Sequence, residues 1–212
     1  MKDIPLFTTE YGIATLVLRE ISYRGEAYIR IQSTQQPQEL VGECASFCRA
    51  CGAERVYATG HDFLQNYPLH TAVVRMCCLR KCIPESEVAL FPVVGELSGQ
   101  WQAIYNEKMA QVANASYMTD REAQELPSKN DAYFVHRQGK LLGIGRASGE
   151  KLDVVISVEP GAGEEIVKAR CSVLTEQTVT LEVATANIKA MRLYERLGFV
   201  AVEELSRWYQ IF

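Results

Sequence analysis

The segment Val158-Glu159-Pro160-Gly161-Ala162-Gly163-Glu164-Glu165 has residue types and spacing that could do chemistry. It follows Leu152-Asp153-Val154-Val155-Ile156-Ser157-Val158, which alternates like a strand with one buried face. Helical spacing begins at Glu164. A glycine-rich turn opening a helix offers free backbone N–H groups and a partial positive charge, a setting suited to phosphate. Glu164 and Glu165 complicate it. Carboxylates in a first helical turn stabilise the helix by roughly 0.3–1 kcal/mol each, and they repel a phosphate at the same place. A plain glycine-rich turn before an acidic helix start is the competing reading. A second constellation follows the alternating run Thr178-Val179-Thr180-Leu181-Glu182-Val183. Ile188, Met191, Leu193 and Leu197 suit a short amphipathic helix, with Asn187 as its N-cap, Tyr194 as a packed aromatic and Gly198 as its stop.

Asn187 to Phe199 reads N-I-K-A-M-R-L-Y-E-R-L-G-F. With the strand before it, this segment resembles the close of the GNAT N-acetyltransferase family, which transfers an acyl group from acyl-CoA to an amine. Val158-Glu159-Pro160 matches the family's V-x-P strand end. The resemblance implies acetyl-CoA as co-substrate, with no metal, and as acceptor a primary amine on a small molecule or protein. It implies that Gly161, Ala162 and Gly163 meet the pyrophosphate. It further implies that backbone groups of Ile156, Ser157 and Val158 hydrogen-bond the pantetheine arm, and that Asn187 and Tyr194 face the thioester. Tyr194 is then the catalytic acid that protonates the departing thiolate. The family's Arg or Gln between the proline and the glycine pair is missing, as though a few residues had been deleted. With Glu164 and Glu165 beside it, the abbreviated loop implies weak coenzyme affinity. Asp153, Glu182 and a water chain are all open as the general base. Both carboxylates alternate with apolar residues and read as solvent-facing. The shortened loop also leaves open a degenerate GNAT-fold domain without catalysis, acting as a binding or regulatory module.

The elements that must position these residues follow from pattern. Ser98 to Asn114 carries Trp101, Ile104, Tyr105, Met109 and Val112 at helical spacing. Thr119-Asp120-Arg121-Glu122 is a capping-box pattern opening a second helix. Strands follow at 132–135 and 141–146, joined by a turn at Gln138-Gly139-Lys140, then at 152–158. A helix at 164–174, a strand at 179–184, the helix after Asn187 and a strand at 200–211 complete the chain. Such an order is similar to the GNAT fold over residues 96–212. The resemblance implies an α/β (α+β) class with a mixed, mostly antiparallel twisted sheet flanked by helices. Strands 152–158 and 179–184 should run parallel and diverge at their ends, because a helix joins them.

An internal repeat is visible without gaps. Glu39-Leu40-Val41 through Ala58-Thr59-Gly60-His61 aligns with Glu165-Ile166-Val167 through Ala184-Thr185-Ala186-Asn187 at a constant offset of 126 residues. Strands at 15–21 and 26–31 precede the first copy, and the two leading helices are absent from it. Its loop Ser33 to Gln38 has no glycine, His61 stands where Asn187 does, and Pro68 cuts its last helix. The reading is a truncated GNAT-like half over 1–84 without a coenzyme site and an acyltransferase domain over 85–212, with a linker near Ile83 to Pro92. Chance likeness of two β-α-β units is the alternative. His61 and His70 read as surface or interface groups.

Composition sets bounds. The 212 residues are 48% hydrophobic and 23% charged, with a net charge of −4, which suits a globular enzyme and gives no basic field for nucleic acid. Apolar runs fall far short of the roughly 18 residues of a membrane span. Met1-Lys2-Asp3-Ile4-Pro5 has no signal-peptide pattern, so a cytoplasmic setting is expected. Oligomeric state is not written in the sequence. Cys44, Cys48 and Cys51 share the C-x3-C-x2-C spacing of iron-sulfur radical enzymes. They also fall on one apolar helix face with Leu40, Val41 and Phe47, where thiols pack as small hydrophobes. Three ligands on one continuous helix cannot wrap a cluster, so reduced, buried thiols are expected.

Overall fold

A computed structural model describes residues 2–212. The chain forms two compact units. One holds the described residues through Val73 together with Glu204–Phe212, and the other holds Val74–Glu203. These limits differ from the 84/85 boundary read from the sequence. The cause is strand traffic. Strand β5 (Leu69–Leu79) begins in the first unit and ends in the second, and β11 (Val200–Gln210) does the reverse. An alternating pattern marks a strand without saying which neighbour it will join.

In the first unit, β1 (Ile4–Thr9), β2 (Gly12–Val17) and β3 (Glu26–Thr34) form an antiparallel meander. A four-residue helix α1 (Ile21–Arg24) sits between β2 and β3. Helix α2 (Pro37–Ala50) then crosses to β4 (Arg55–Thr59), which runs parallel to β3. Proline opens α2, where its missing N–H removes no helical bond. The helix buries Leu40, Val41, Cys44 and Cys48 against Leu16, Ile29 and Val56 of the sheet. Burial pushes the Cys48 thiol up to about 12 and the Cys44 thiol to about 11, so both stay protonated as packing groups. Cys51 is half-buried just past the helix, and all seven cysteines are free thiols. The first unit differs from the sequence reading in several elements, with α1 and β5 both unread. Strand β1 was not anticipated, and β2 starts at Gly12 and ends at Val17, where 15–21 was expected. After β4 the chain makes a 3₁₀ turn at Asp62–Asn66, which Tyr67 and Pro68 end before any longer helix forms.

In the second unit, β6 (Ala89–Pro92) lies inside the segment expected to be a linker. Helices α3 (Ser98–Met109) and α4 (Asp120–Lys129) follow. Then come β7 (Ala132–Arg137), β8 (Lys140–Ser148) and β9 (Lys151–Ser157). Helix α5 (Gly163–Ser172) leads to β10 (Thr178–Ala184), and α6 (Ile188–Arg196) leads to β11. The capping box forms, with the Glu122 N–H donating to Thr119 Oγ1 at 3.3 Å and the Thr119 N–H to Glu122 Oε2 at 2.8 Å. The hairpin turn has Gln138 and Gly139 at φ 50° and 80°, the paired left-handed residues that suit a two-residue connection. Strands β6 to β9 are antiparallel neighbours. Strand β10 joins β9 in parallel, and β5 flanks β10. The sheet is therefore mixed and mostly antiparallel, as the fold class required.

Alternation along the strands feeds two layers. Phe134, Ile144 and Ile156 pack with Trp101 of α3 and Leu126 of α4. Val135 and Leu142 pack with Ile166 of α5, while Leu181 and Phe199 pack with Val167 and with Tyr194 of α6. Helix α6 ends in a Schellman motif. The Phe199 N–H donates to the Tyr194 carbonyl at 3.0 Å, and the Gly198 N–H donates to that of Glu195 at 3.0 Å. Gly198 sits at φ 86°, a left-handed conformation that a Cβ disfavours. Gly198→Ala should cost roughly 1–2 kcal/mol in urea denaturation, the strain of one left-handed alanine. An unchanged midpoint would show that the α6 ending does not depend on that conformation.

Candidate functional site

Strands β9 and β10 are parallel but share only two register pairs, Thr180↔Lys151 and Leu181↔Leu152. The Thr180 N–H also donates to the Glu150 carbonyl at 2.8 Å. These contacts lie at the amino end of β9 and about the middle of β10. Past Leu152 and Leu181 the strands part, and their carboxyl ends bound a wedge. In the first unit, β3 and β4 have the same parallel arrangement but pair over five positions, ending at Arg30↔Thr59. Beyond that pair, a Cβ on Gly60 would collide with the Ile31 carbonyl oxygen, so those strand ends lie tightly together. The expected parallel pair is therefore present in the second unit and loses its pairing past Leu152 and Leu181, whereas β3 and β4 of the first unit stay paired to Arg30↔Thr59.

The loop after β9 is more committed than its glycines suggested. The N–H groups of Val158 and Glu159 both donate to the Leu142 carbonyl, at 2.9 and 3.0 Å. Glu159-Pro160-Gly161-Ala162 is then a tight turn closed by the Ala162 N–H on the Glu159 carbonyl at 3.2 Å. Pro160 in its second position and Gly161 at φ 82° in its third are the signature of a type II turn. Gly161 is thus required by the turn, and the Val158 and Ala162 N–H groups are occupied. The first helical bond of α5 comes from the Ile166 N–H. Ala162, in the N-cap position, has no side-chain oxygen. The N–H groups of Gly163, Glu164 and Glu165 are therefore left for solvent or a ligand.

Gly163 marks where α5, α6 and β9 converge. A Cβ there would lie 2.9 Å from Leu193 Cδ2 and 3.3 Å from Ser157 Oγ. The carboxylates beside it have cation partners, which corrects the simple picture of two bare repelling charges. Lys168 Nζ is 2.7 Å from Glu164, and Arg137 Nη2 is 2.8 Å from Glu165. The Lys168 hydrogen bond holds the Glu164 carboxyl below the usual range. Lys140 pairs with Glu159 at 2.7 Å. These pairs are partly exposed and worth little individually, so a phosphate could compete for their cations. Lys168 was legible as the i+4 partner of Glu164. Arg137 was not, because its proximity comes from β7 and not from spacing.

Asn187 Oδ1 accepts the Ala190 N–H at 3.2 Å, so it does cap α6. That leaves the amide nitrogen free to donate elsewhere. Tyr194 is nearly fully buried, its ring edge-on to Phe199 with centroids 5.8 Å apart. Burial is the main cause that pushes its phenol up to about 12, with Cys171 adding to it. The phenol therefore keeps its proton at neutral pH. Ile156 is buried toward α3 and α4, Ser157 is half-buried and Val158 is exposed. Asp153 accepts the Ser148 hydroxyl at 2.9 Å, and Lys151 pairs with Glu182 at 2.9 Å, both carboxylates lying at the surface. In the first unit, His61 caps the 3₁₀ turn and His70 stacks on Tyr57 at 4.0 Å. Among the described residues, no three His, Cys, Asp or Glu side chains are grouped to hold a metal ion. No described helix is long and apolar enough to cross a membrane.

No protein-family model and no curated protein matches this sequence. Solved structures do match its fold. A conserved protein of unknown function from Staphylococcus epidermidis superposes with a TM-score of 0.59 at 12% identity, over 96% of this chain and 91% of that one. A GCN5-related N-acetyltransferase from Anabaena variabilis gives 0.59 at 10% identity, over 94% of this chain and 59% of that one. Another from Sphaerobacter thermophilus gives 0.54 at 11%, over 93% and 75%. At such identities the likeness shows a GNAT-type fold.

The Tyr194 environment carries a pH signature. Its folded value lies above the unfolded value of about 10. Its contribution to stability is therefore complete below pH 10 and is lost as pH rises through about 12. Tyr194→Phe should flatten that part of the alkaline fall in unfolding free energy. Urea denaturation of both proteins at pH 9 and pH 11 checks it, and identical falls would contradict the buried phenol.

Proposed function

We propose that the chain is an acyl-CoA-dependent N-acyltransferase that moves an acetyl group from acetyl-CoA to a primary amine of a small molecule or a protein in the cytoplasm. The parting of β9 and β10 beside an uncapped helix start supports this reading most directly. An extended polyamide arm can enter such a wedge beside Ile156, Ser157 and Val158 and hydrogen-bond the backbone groups of Ser157, which alternation along β9 turns away from β8. The N–H groups of Gly163, Glu164 and Glu165 would meet the pyrophosphate, with Gly161 and Ala162 shaping the turn that presents them. The coenzyme would supply the activated acyl group as a thioester. Asn187 would donate its amide hydrogens near that end. Tyr194 would hold a proton for the leaving sulfur, and its burial ensures that the proton is present at neutral pH. The acceptor amine must lose a proton, and the wedge brings no buried carboxylate to it, so a water chain to the surface carboxylates is the route left.

A non-catalytic binding module is favoured by two specific contacts. Leu193 crowds Gly163 where a ligand would approach, and Tyr194 is packed among apolar side chains. Calorimetric titration of acetyl-CoA, followed by steady-state assays with small primary amines and peptide amino termini, separates the two readings. Acyl transfer predicts binding at tens of micromolar or weaker, and even 10 μM corresponds to only ~7 kcal/mol. Changing Glu164 and Glu165 together to Gln should tighten binding several-fold, because it frees Lys168 and Arg137 for the phosphates. Tyr194→Phe should lower turnover by roughly 10²-fold with coenzyme affinity unchanged. No heat and no thermal stabilisation at millimolar acetyl-CoA would leave the binding module.

A further inference from the structure

The first unit has a cavity of its own, of about 470 Å³, at the carboxyl ends of the parallel strands β3 and β4. This is the end of a parallel pair at which open sheets commonly bind ligands. Arg30, His61, Asp62, Leu205, Arg207 and Tyr209 are among its lining residues, all within the first unit. The acyl-transfer reading uses none of them.

The wall carries four formal charges, and two of them cancel locally. Arg207 Nε lies 2.7 Å from Glu204 Oε1, and both line the cavity. Arg30 has no ion pair or hydrogen bond to any described side chain or carbonyl, and neither does the Asp62 carboxylate. The cavity thus presents one uncommitted cation and one uncommitted anion. His61 adds a fixed donor. Its Nδ1 accepts the Phe63 N–H at 3.1 Å, so in the neutral ring the proton must sit on Nε2. Leu205 and Tyr209 supply apolar wall.

We propose that this cavity is a binding site for a free amino acid with an apolar side chain. Its carboxylate meets Arg30 and His61 Nε2–H, its ammonium meets Asp62, and its side chain lies toward Leu205 and Tyr209. A simple anion would leave Asp62 facing like charge, and a simple amine would leave Arg30 so. Only a zwitterion complements both. The volume admits a leucine-sized ligand with ordered water.

The chain has three histidines, His61, His70 and His136, so imidazole NMR reads the site directly. The probes are L-leucine, 4-methylpentanoate, which lacks the ammonium, and 3-methylbutan-1-amine, which lacks the carboxylate. Leucine should shift the His61 resonances and leave those of His70 and His136 in place, and both fragments should bind more weakly. Arg30→Gln should weaken leucine and 4-methylpentanoate by about tenfold, the scale of one charge-assisted hydrogen bond. Asp62→Asn should weaken leucine similarly and leave 4-methylpentanoate unchanged. Unmoved His70 and His136 resonances in each variant report an intact fold. A His61 signal unmoved by leucine at about 20 mM, well above a millimolar Kd, overturns the proposal. So does wild-type leucine affinity in either variant, or amine binding as tight as that of leucine. None of these readouts involves acetyl-CoA, so the site stands or falls apart from acyl transfer.

Discussion

Two residues of parallel pairing between β9 and β10 constrain most of what surrounds them. Backbone N–H and C=O groups away from water need partners. Strands that part after a single pair of contacts leave such groups open along both inner edges. The second unit answers this partly from within. Val158 and Glu159 fold their N–H groups back onto the Leu142 carbonyl, and a type II turn occupies the N–H of Ala162. What remains uncommitted is the β9 edge facing the gap and the first turn of α5. These are a strand edge and a helix start placed side by side, the two features on which the proposed binding of a pyrophosphate joined to an extended amide arm rests. The same order of elements in the first unit has no such opening, because β3 and β4 pair through to Arg30↔Thr59 and Gly60 closes on Ile31.

Much of the second unit was legible in the sequence because its signals are local. The capping box at Thr119, the left-handed hairpin turn at Gln138-Gly139 and the Schellman ending at Gly198 each arise within a few residues. The helix joining β9 and β10 was enough to make them parallel. Hidden features were those set by chain segments far apart. Glu165 pairs with Arg137 from another strand, and Leu193 fills the space beside Gly163 from another helix. Strand β1 was missed because Pro5 and two threonines blur its alternation. The compact units differ from the 84/85 division because β5 and β11 each change units midway, which no composition shift marks.

Tyr194 illustrates the difference between a motif and its environment. The helix pattern placed it one turn before Gly198, and the structure keeps it there. Its ring, however, is packed with Phe199, Cys171 and Leu181. Burial makes it a neutral phenol over the whole physiological range and also a reluctant acid. A thiolate leaving group would need to approach closely for the proton to transfer. In the proposed acyl transfer, proton delivery from this residue would depend on how far the α6 side chains, Leu193 above all, give way to a ligand in the wedge.

Backbone hydrogen exchange with and without acetyl-CoA tests the wedge most directly, because it reports on the open N–H groups themselves. Occupation of the wedge predicts slowed exchange at Gly163, Glu164 and Glu165 and at Ser157, with β3 and β4 unchanged. Exchange at those four amides that is indifferent to saturating acetyl-CoA, or protection confined to the first unit, would contradict it.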